Sequence, residues 1–234
     1  MVKALHRAVR AVDRLIFPRT AVCQGCGDLS GCDGDWLCAA CRARLATLWR
    51  GGALQRPVPP LDGFVCAYAY RQPVPGLVRA LKYGPVTALA GFMAGDMARA
   101  CAALEIAPDV LVVPAPMHPR RERKRGYNQA ALLSGAVAAL LGLPHDARAL
   151  LKRRNTRQQA RLGPVERRHN LEGSVGVRSD VRGRRILLVD DVYTTGATMS
   201  TCAQALKDAG AATVWALTYA VAGNQPDDEC PPMP

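Results

Sequence analysis

One segment constrains the chain more than any other. Residues 185–201 read RILLVDDVYTTGATMST. The apolar run from Ile186 to Val189 predicts a buried strand, and Asp190 and Asp191 follow at its carboxyl end. Thr194, Thr195, Gly196, Ala197 and Thr198 then lead into a helical pattern over residues 196–209. A strand that turns directly into a helix belongs to an α/β sheet. Open sheets of that class place ligands at the carboxyl ends of their strands.

The surrounding pattern agrees. Residues 63–70, 109–114, 185–189 and 213–219 read as strands, and residues 75–83, 85–104 and 127–141 as helices. Strands alternating with helices imply a parallel sheet flanked by helices. Ahead of it come an amphipathic helix over 4–16, a cysteine-rich segment over 23–41, a short helix to about Trp49 and the Gly/Pro linker GGALQRPVPP at 51–60. The expected organisation is an N-terminal module at 1–55, an α/β domain at 60–222 and a disordered Pro-rich tail at 223–234. Residues 148–172 read as a long, charged, mobile loop. Only 5% of the chain is aromatic, so the core must be mostly Ala, Val and Leu.

The segment after the strand has the chemistry of a phosphate cradle. A helix N-terminus offers unpaired backbone N–H groups and the positive end of its dipole. Gly196 allows close backbone approach, and Thr194, Thr195 and Thr198 add hydroxyl donors. Asp190 and Asp191 would repel a phosphate, so they need another partner. Sugar hydroxyls suit them, and a Mg²⁺ held on the sugar and a pyrophosphate would relieve their mutual repulsion. An ordinary strand–turn–helix with a threonine cap is the plainer alternative. Two acids followed by T-T-G-x-T directly after an apolar strand is a far rarer pattern.

Charge is concentrated elsewhere. The net charge is +12, and residues 118–185 carry 17 Lys and Arg against 5 Asp and Glu, while the rest of the chain is balanced. Residues 114–129 read PAPMHPRRERKRGYNQ, so Arg120, Arg121, Arg123, Lys124 and Arg125 follow a predicted strand and precede a helix. Guanidinium forks suit a pyrophosphate or a longer polyanion. A solvated surface loop is the alternative. Tyr127 offers a ring for stacking, Asn128 a helix cap, and Lys82 a further cation within reach of a phosphate. His169, in the basic stretch 153–170, is a surface or cap residue in preference to a catalytic one.

Four of the nine cysteines form two C-x-x-C pairs, Cys23/Cys26 and Cys38/Cys41. That is the spacing of a structural zinc ribbon, and four thiolates leave no open position for catalysis. A redox pair is the rival, and Cys32 lies between the pairs as a competing ligand. Cys66, Cys101 and Cys202 stand in apolar runs and read as packing residues. Residues 1–20 have no apolar stretch followed by a small-residue cleavage site, which points to the cytoplasm. Residues 126–144 lack charge but contain Asn128, Gln129 and Ser134, which points to a buried helix and against a membrane span.

The D-D-V-x-T-T-G-A-T segment resembles the 5-phosphoribosyl-1-pyrophosphate signature of type I phosphoribosyltransferases. The four-cysteine module, R-G-Y-N-Q and that signature, in this order, resemble the ComF family, zinc-ribbon proteins with a phosphoribosyltransferase-like domain linked to natural competence. The resemblance implies that Asp190 and Asp191, as the catalytic pair, meet the ribose. It implies that Tyr193, Thr194, Thr195, Gly196, Ala197 and Thr198 cradle the 5-phosphate, with Val192 part of the same 5-phosphate and ribose site. Arg120, Arg123, Lys124, Arg125 and Gln129 would meet pyrophosphate or nucleic acid, and the basic stretch 153–170 would form a hood. It further implies zinc at Cys23, Cys26, Cys38 and Cys41, Mg²⁺ with the ligand, and a cytoplasmic role in DNA uptake beside a DNA-translocating helicase and a processing factor. A transferase, a single-stranded nucleic-acid-binding module and a phosphoribosyl sensor all remain compatible with this pattern.

Overall fold

In the computed structural model, the described residues are 22–29, 32, 35–51, 59–84, 88–104, 106–153 and 174–222. The expected helix at 4–16, most of the linker at 51–60, His169 and the tail from 223 lie outside them.

Four strands form the central sheet: β1 (Gly63–Ala69), β2 (Leu111–Pro114), β5 (Arg185–Tyr193) and β6 (Thr213–Val221), in the order β1-β6-β5-β2 and all parallel. Their near-continuous apolar runs are what a sheet covered on both faces requires. Leu187 and Val189 look onto one layer, with α2 (Val74–Tyr83), α3 (Leu89–Ala100) and α5 (Gln129–Leu141). Ile186 and Leu188 look onto the other, with α6 (Ala197–Asp208). The edges are covered by irregular chain. Arg50 N–H donates to Ala67 C=O and Ala69 N–H to Leu48 C=O beside β1, and Val112 N–H donates to Pro144 C=O beside β2.

Three expectations change. The strand does not break at Asp190. It runs to Tyr193, because β6 keeps pairing with it through Asp190–Thr218 and Val192–Ala220. The basic segment is not the plain loop that the sequence left open as an alternative. Pro119–Arg125 is a helix, α4, with His118 Nδ1 accepting from Arg120 N–H at 3.2 Å and Gly126 closing it at φ 89°. The stretch 148–172 is not structureless throughout. β3 (Leu150–Lys152) pairs antiparallel with β4 (Val175–Val177), and residues 154–173, outside the described set, connect them.

The cysteine segment shares the main core. Cys23, Leu37 and Leu45, the last in α1 (Ala39–Thr47), belong to the same buried cluster as α2 and α3. Cys66, Cys101 and Cys202 are buried, as their apolar surroundings in sequence suggest. No helix among the described residues is long and apolar enough to cross a membrane.

Candidate functional site

β2 and β5 are in register at Pro114 and Val189, so the segments leaving their carboxyl ends start side by side. From β5 come the two acids and the threonine loop. From β2 come Ala115–His118 and α4.

The acids are adjacent in sequence but look to opposite sides of the sheet, as strand alternation requires. Asp191 is enclosed, with its side chain 6% exposed, and its Oδ2 lies 2.5 Å from Lys82 Nζ in the last turn of α2. Asp190 is half-buried on the α6 side, where its charge and, above all, burial push the Cys202 thiol up to about 12. Asp190 Oδ1 accepts the Asp191 N–H at 2.9 Å. Burial, and then the neighbouring Asp191, hold the Asp190 carboxyl well above the usual carboxylate range, while that N–H and Lys82 pull the other way.

Beyond the acids, Tyr193 turns into the core. Its ring lies 4.5 Å from Phe64, and burial raises its phenol. Gly196 takes φ 74°, and a Cβ there would stand 2.1 Å from Tyr193 Oη. Glycine is required at this position both for backbone sign and for space. Thr194, Thr195, Ala197 and Thr198 are exposed. The N-terminus of α6 has no side-chain cap and no acid in its first turn, and Ala197 N–H makes only a 3.5 Å contact to Thr195 Oγ1. The first amides of the helix are therefore open to an anion.

The basic residues divide into two groups. Arg120, Arg121, Arg123 and Lys124 are exposed on α4, with no ion pair to a described acid. Arg125 and Gln129 instead bind each other, Nη1 to Oε1, and Gln129 is buried. The Arg125 guanidinium sits 5.2 Å over the ring of Tyr83, which is 77% exposed. Tyr127 acts as a strut, its hydroxyl 2.6 Å from Leu81 C=O and 3.3 Å from Gly84 C=O. Asn128 caps α5 through Ala130 N–H and ties it to Ala115 C=O. The sequence signalled the loop and the cap. It did not signal that Lys82 meets Asp191 or that Tyr127 closes α2, because no local period encodes either contact.

The second site is the cysteine group. The thiol sulfurs of Cys23, Cys26, Cys38 and Cys41 all lie within 4.8 Å of one another, and Cys26 and Cys38 are 4.0 Å apart. A tetrahedral ion with about 2.3 Å bonds to sulfur needs ligand separations of about 3.8 Å, so the donor set fits zinc. Cys38 N–H donates to Cys23 Sγ at 3.3 Å and Cys41 N–H to Cys38 Sγ at 3.5 Å. Although burial opposes it, such backbone donation from Cys38, Cys26 and Gly25 lowers the Cys23 thiol to about 6. Cys32 stands beside this group without joining it, its thiol raised to about 11 by burial and by the neighbouring sulfurs.

Residues 129–230 match the phosphoribosyl transferase domain family. The DNA utilization protein YhgH of Salmonella typhimurium is 32% identical over 212 residues, covering 87% of this chain and 86% of its own. Competence protein F of Haemophilus influenzae is 33% identical over 114 residues, 47% of this chain and 50% of that protein. Competence protein ComFC of Bacillus subtilis is 33% identical over 102 residues, 44% of this chain and 40% of that protein. The parallel sheet with helices on both faces, ending in the acid pair and threonine loop, is the type I phosphoribosyltransferase fold. The near full-length relative and the domain match together place the chain in the ComF family.

Proposed function

We propose that the chain binds 5-phosphoribosyl-1-pyrophosphate with Mg²⁺ at the carboxyl ends of β2 and β5, and serves DNA uptake in the cytoplasm. The observation that carries this reading is the end of β5: two acids in the strand's last residues, then a positive-φ glycine and an uncapped helix N-terminus, all between Asp190 and Ala197. The open amides of α6 with Thr194, Thr195 and Thr198 take the 5-phosphate. Any contact from Tyr193 is through its backbone, since its ring is packed below the loop. Asp190 and Asp191 accept from the ribose hydroxyls, and Arg120, Arg123 and Lys124 face the pyrophosphate end. Mg²⁺ would neutralise charge between the acids and the pyrophosphate. Zinc at the four cysteines supports the fold and takes no part in chemistry. The names of the competence relatives support the link to DNA uptake. A DNA-translocating helicase and a processing factor are the partners that the family resemblance implies.

Calorimetric titration with 5-phosphoribosyl-1-pyrophosphate and Mg²⁺ tests the reading. Binding is expected for the unaltered chain, with at least about a tenfold loss in Asp190→Asn, the scale of a lost charge-assisted contact. Equal binding by both proteins would refute it. Turnover is measured separately, by exchange of labelled pyrophosphate into the ligand with a panel of bases. Exchange with any base identifies a transferase. Tight binding without exchange identifies a binding protein.

The exposed cations of α4 beside the exposed Tyr83 favour a second reading, a track for single-stranded nucleic acid with a ring for stacking. Its affinity for an oligonucleotide should fall steeply with salt and drop in Arg120→Ala/Arg123→Ala/Lys124→Ala. A flat salt response would sink it.

A further inference from the structure

The Lys82–Asp191 pair joins parts of the chain that share no motif. Lys82 lies outside the 129–230 stretch of the domain match, and its side chain is 26% exposed where that of Asp191 is 6% exposed. An enclosed carboxylate stays charged only with a cation or strong donors beside it. Lys82 is the cation that meets it here.

The helix that delivers Lys82 is held along its whole length. At its start, a Cβ on Gly76 would stand 2.1 Å from Gly25 C=O, and one on Gly25 would stand 2.6 Å from Pro73 Cβ. The backbone of the cysteine segment thus rests directly on α2. Arg44 Nε donates to Gln72 C=O at 2.9 Å just ahead of it. Along its middle, Val74, Leu77, Val78 and Leu81 are buried. At its end, the Tyr127 hydroxyl binds the carbonyls of Leu81 and Gly84, and Arg125 covers Tyr83. With the backbone fixed at both ends, only the lysine side chain has freedom left to lose when the pair forms.

We propose that Lys82 is a positioning residue, which holds the Asp191 carboxylate in the orientation that receives the sugar and acts through Asp191 without touching the phosphates. The inference rests on the phosphoribosyl reading above. Its consequence is selective: loss of the Lys82 charge should weaken recognition of the sugar and spare recognition of pyrophosphate.

The test uses the full chain and two probes that divide the ligand, ribose 5-phosphate and magnesium pyrophosphate, each titrated by calorimetry. Lys82→Met is expected to weaken ribose 5-phosphate by about tenfold, within the coupling range for residues in contact, and to leave pyrophosphate within about twofold. Lys82→Arg should keep most of the sugar affinity, because it keeps the charge. Unchanged ribose 5-phosphate affinity in Lys82→Met, or a tenfold loss confined to pyrophosphate, would overturn the proposal. Should Lys82→Met fail to fold, as judged by circular dichroism, Lys82→Gln carries the same comparison. Failure of the unaltered chain to bind either probe would instead overturn the phosphoribosyl reading itself.

Discussion

Asp190 shows how a residue can be set against stability by its position. Burial first, and then the adjacent Asp191, raise its carboxyl well above the usual range. A raised acid binds protons more readily in the folded than in the unfolded chain. Its effect on stability is therefore favourable at low pH and is lost as pH climbs from the ordinary carboxylate range through the raised value. At neutral pH this acid works against folding, as groups kept for ligand binding often do. Asp190→Asn is accordingly expected to raise Tm at pH 7, where each 1 kcal/mol corresponds to about 2–4 °C for a chain of this size. The gain should shrink toward pH 4. A Tm at pH 7 equal to or below that of the unaltered chain would refute this account. The adjacency of the acids was legible in the sequence. Their division, Asp191 toward Lys82 and Asp190 toward α6, follows from strand alternation once the strand is known to run through them.

Among the elements, α2 links the two candidate sites and shows where local preference yields to packing. Alanine is favoured over glycine inside a helix by about 1 kcal/mol, so Gly76→Ala would stabilise an isolated α2. In the folded chain the added methyl meets the Gly25 carbonyl at 2.1 Å, a backbone atom that has little room to retreat. Overpacking of this kind costs about 1–3 kcal/mol and outweighs the propensity gain. Gly95, exposed in α3, is the control, because a methyl added there would have nothing within 4 Å of it. Thermal melts should show Gly76→Ala lowering Tm and Gly95→Ala raising it slightly. A rise in both would mean that the cysteine segment does not bear on α2. The helix α4 teaches a related lesson. Its run of like charges left a solvated loop open as an alternative, yet Pro119 at the first turn, the His118 cap and Gly126 at the end are the punctuation of a short helix.

At the scale of the molecule, the cysteine segment and the sheet share one core. Cys23, Leu37 and Leu45 are buried with α2 and α3, and residues 48–50 cover the edge of β1. Removal of a structural metal should then be felt across the whole chain. Structural zinc supplies roughly 10–16 kcal/mol of apparent binding energy, more than the net stability of most domains. Metal-loaded protein is expected to unfold in a single calorimetric transition. Chelation, or Cys38→Ser, should remove the metal and lower that transition as a whole. Two separate transitions, one of them insensitive to chelation, would show that the segment folds by itself.

The sequence alone determined the parallel α/β class, the acid–threonine–glycine loop and the fourfold cysteine spacing. Each is written in neighbouring residues whose backbone preference, period or spacing is local. The tertiary structure alone decided that Lys82 closes on Asp191, that Tyr127 ties down α2, that Arg125 and Gln129 satisfy each other while Arg120, Arg123 and Lys124 face solvent, and that the cysteine segment joins the main core. Those contacts bridge residues from separate elements. The Lys82–Asp191 pair exists only because packing brings the end of one helix over the end of one strand, and no repeat along the chain records that meeting.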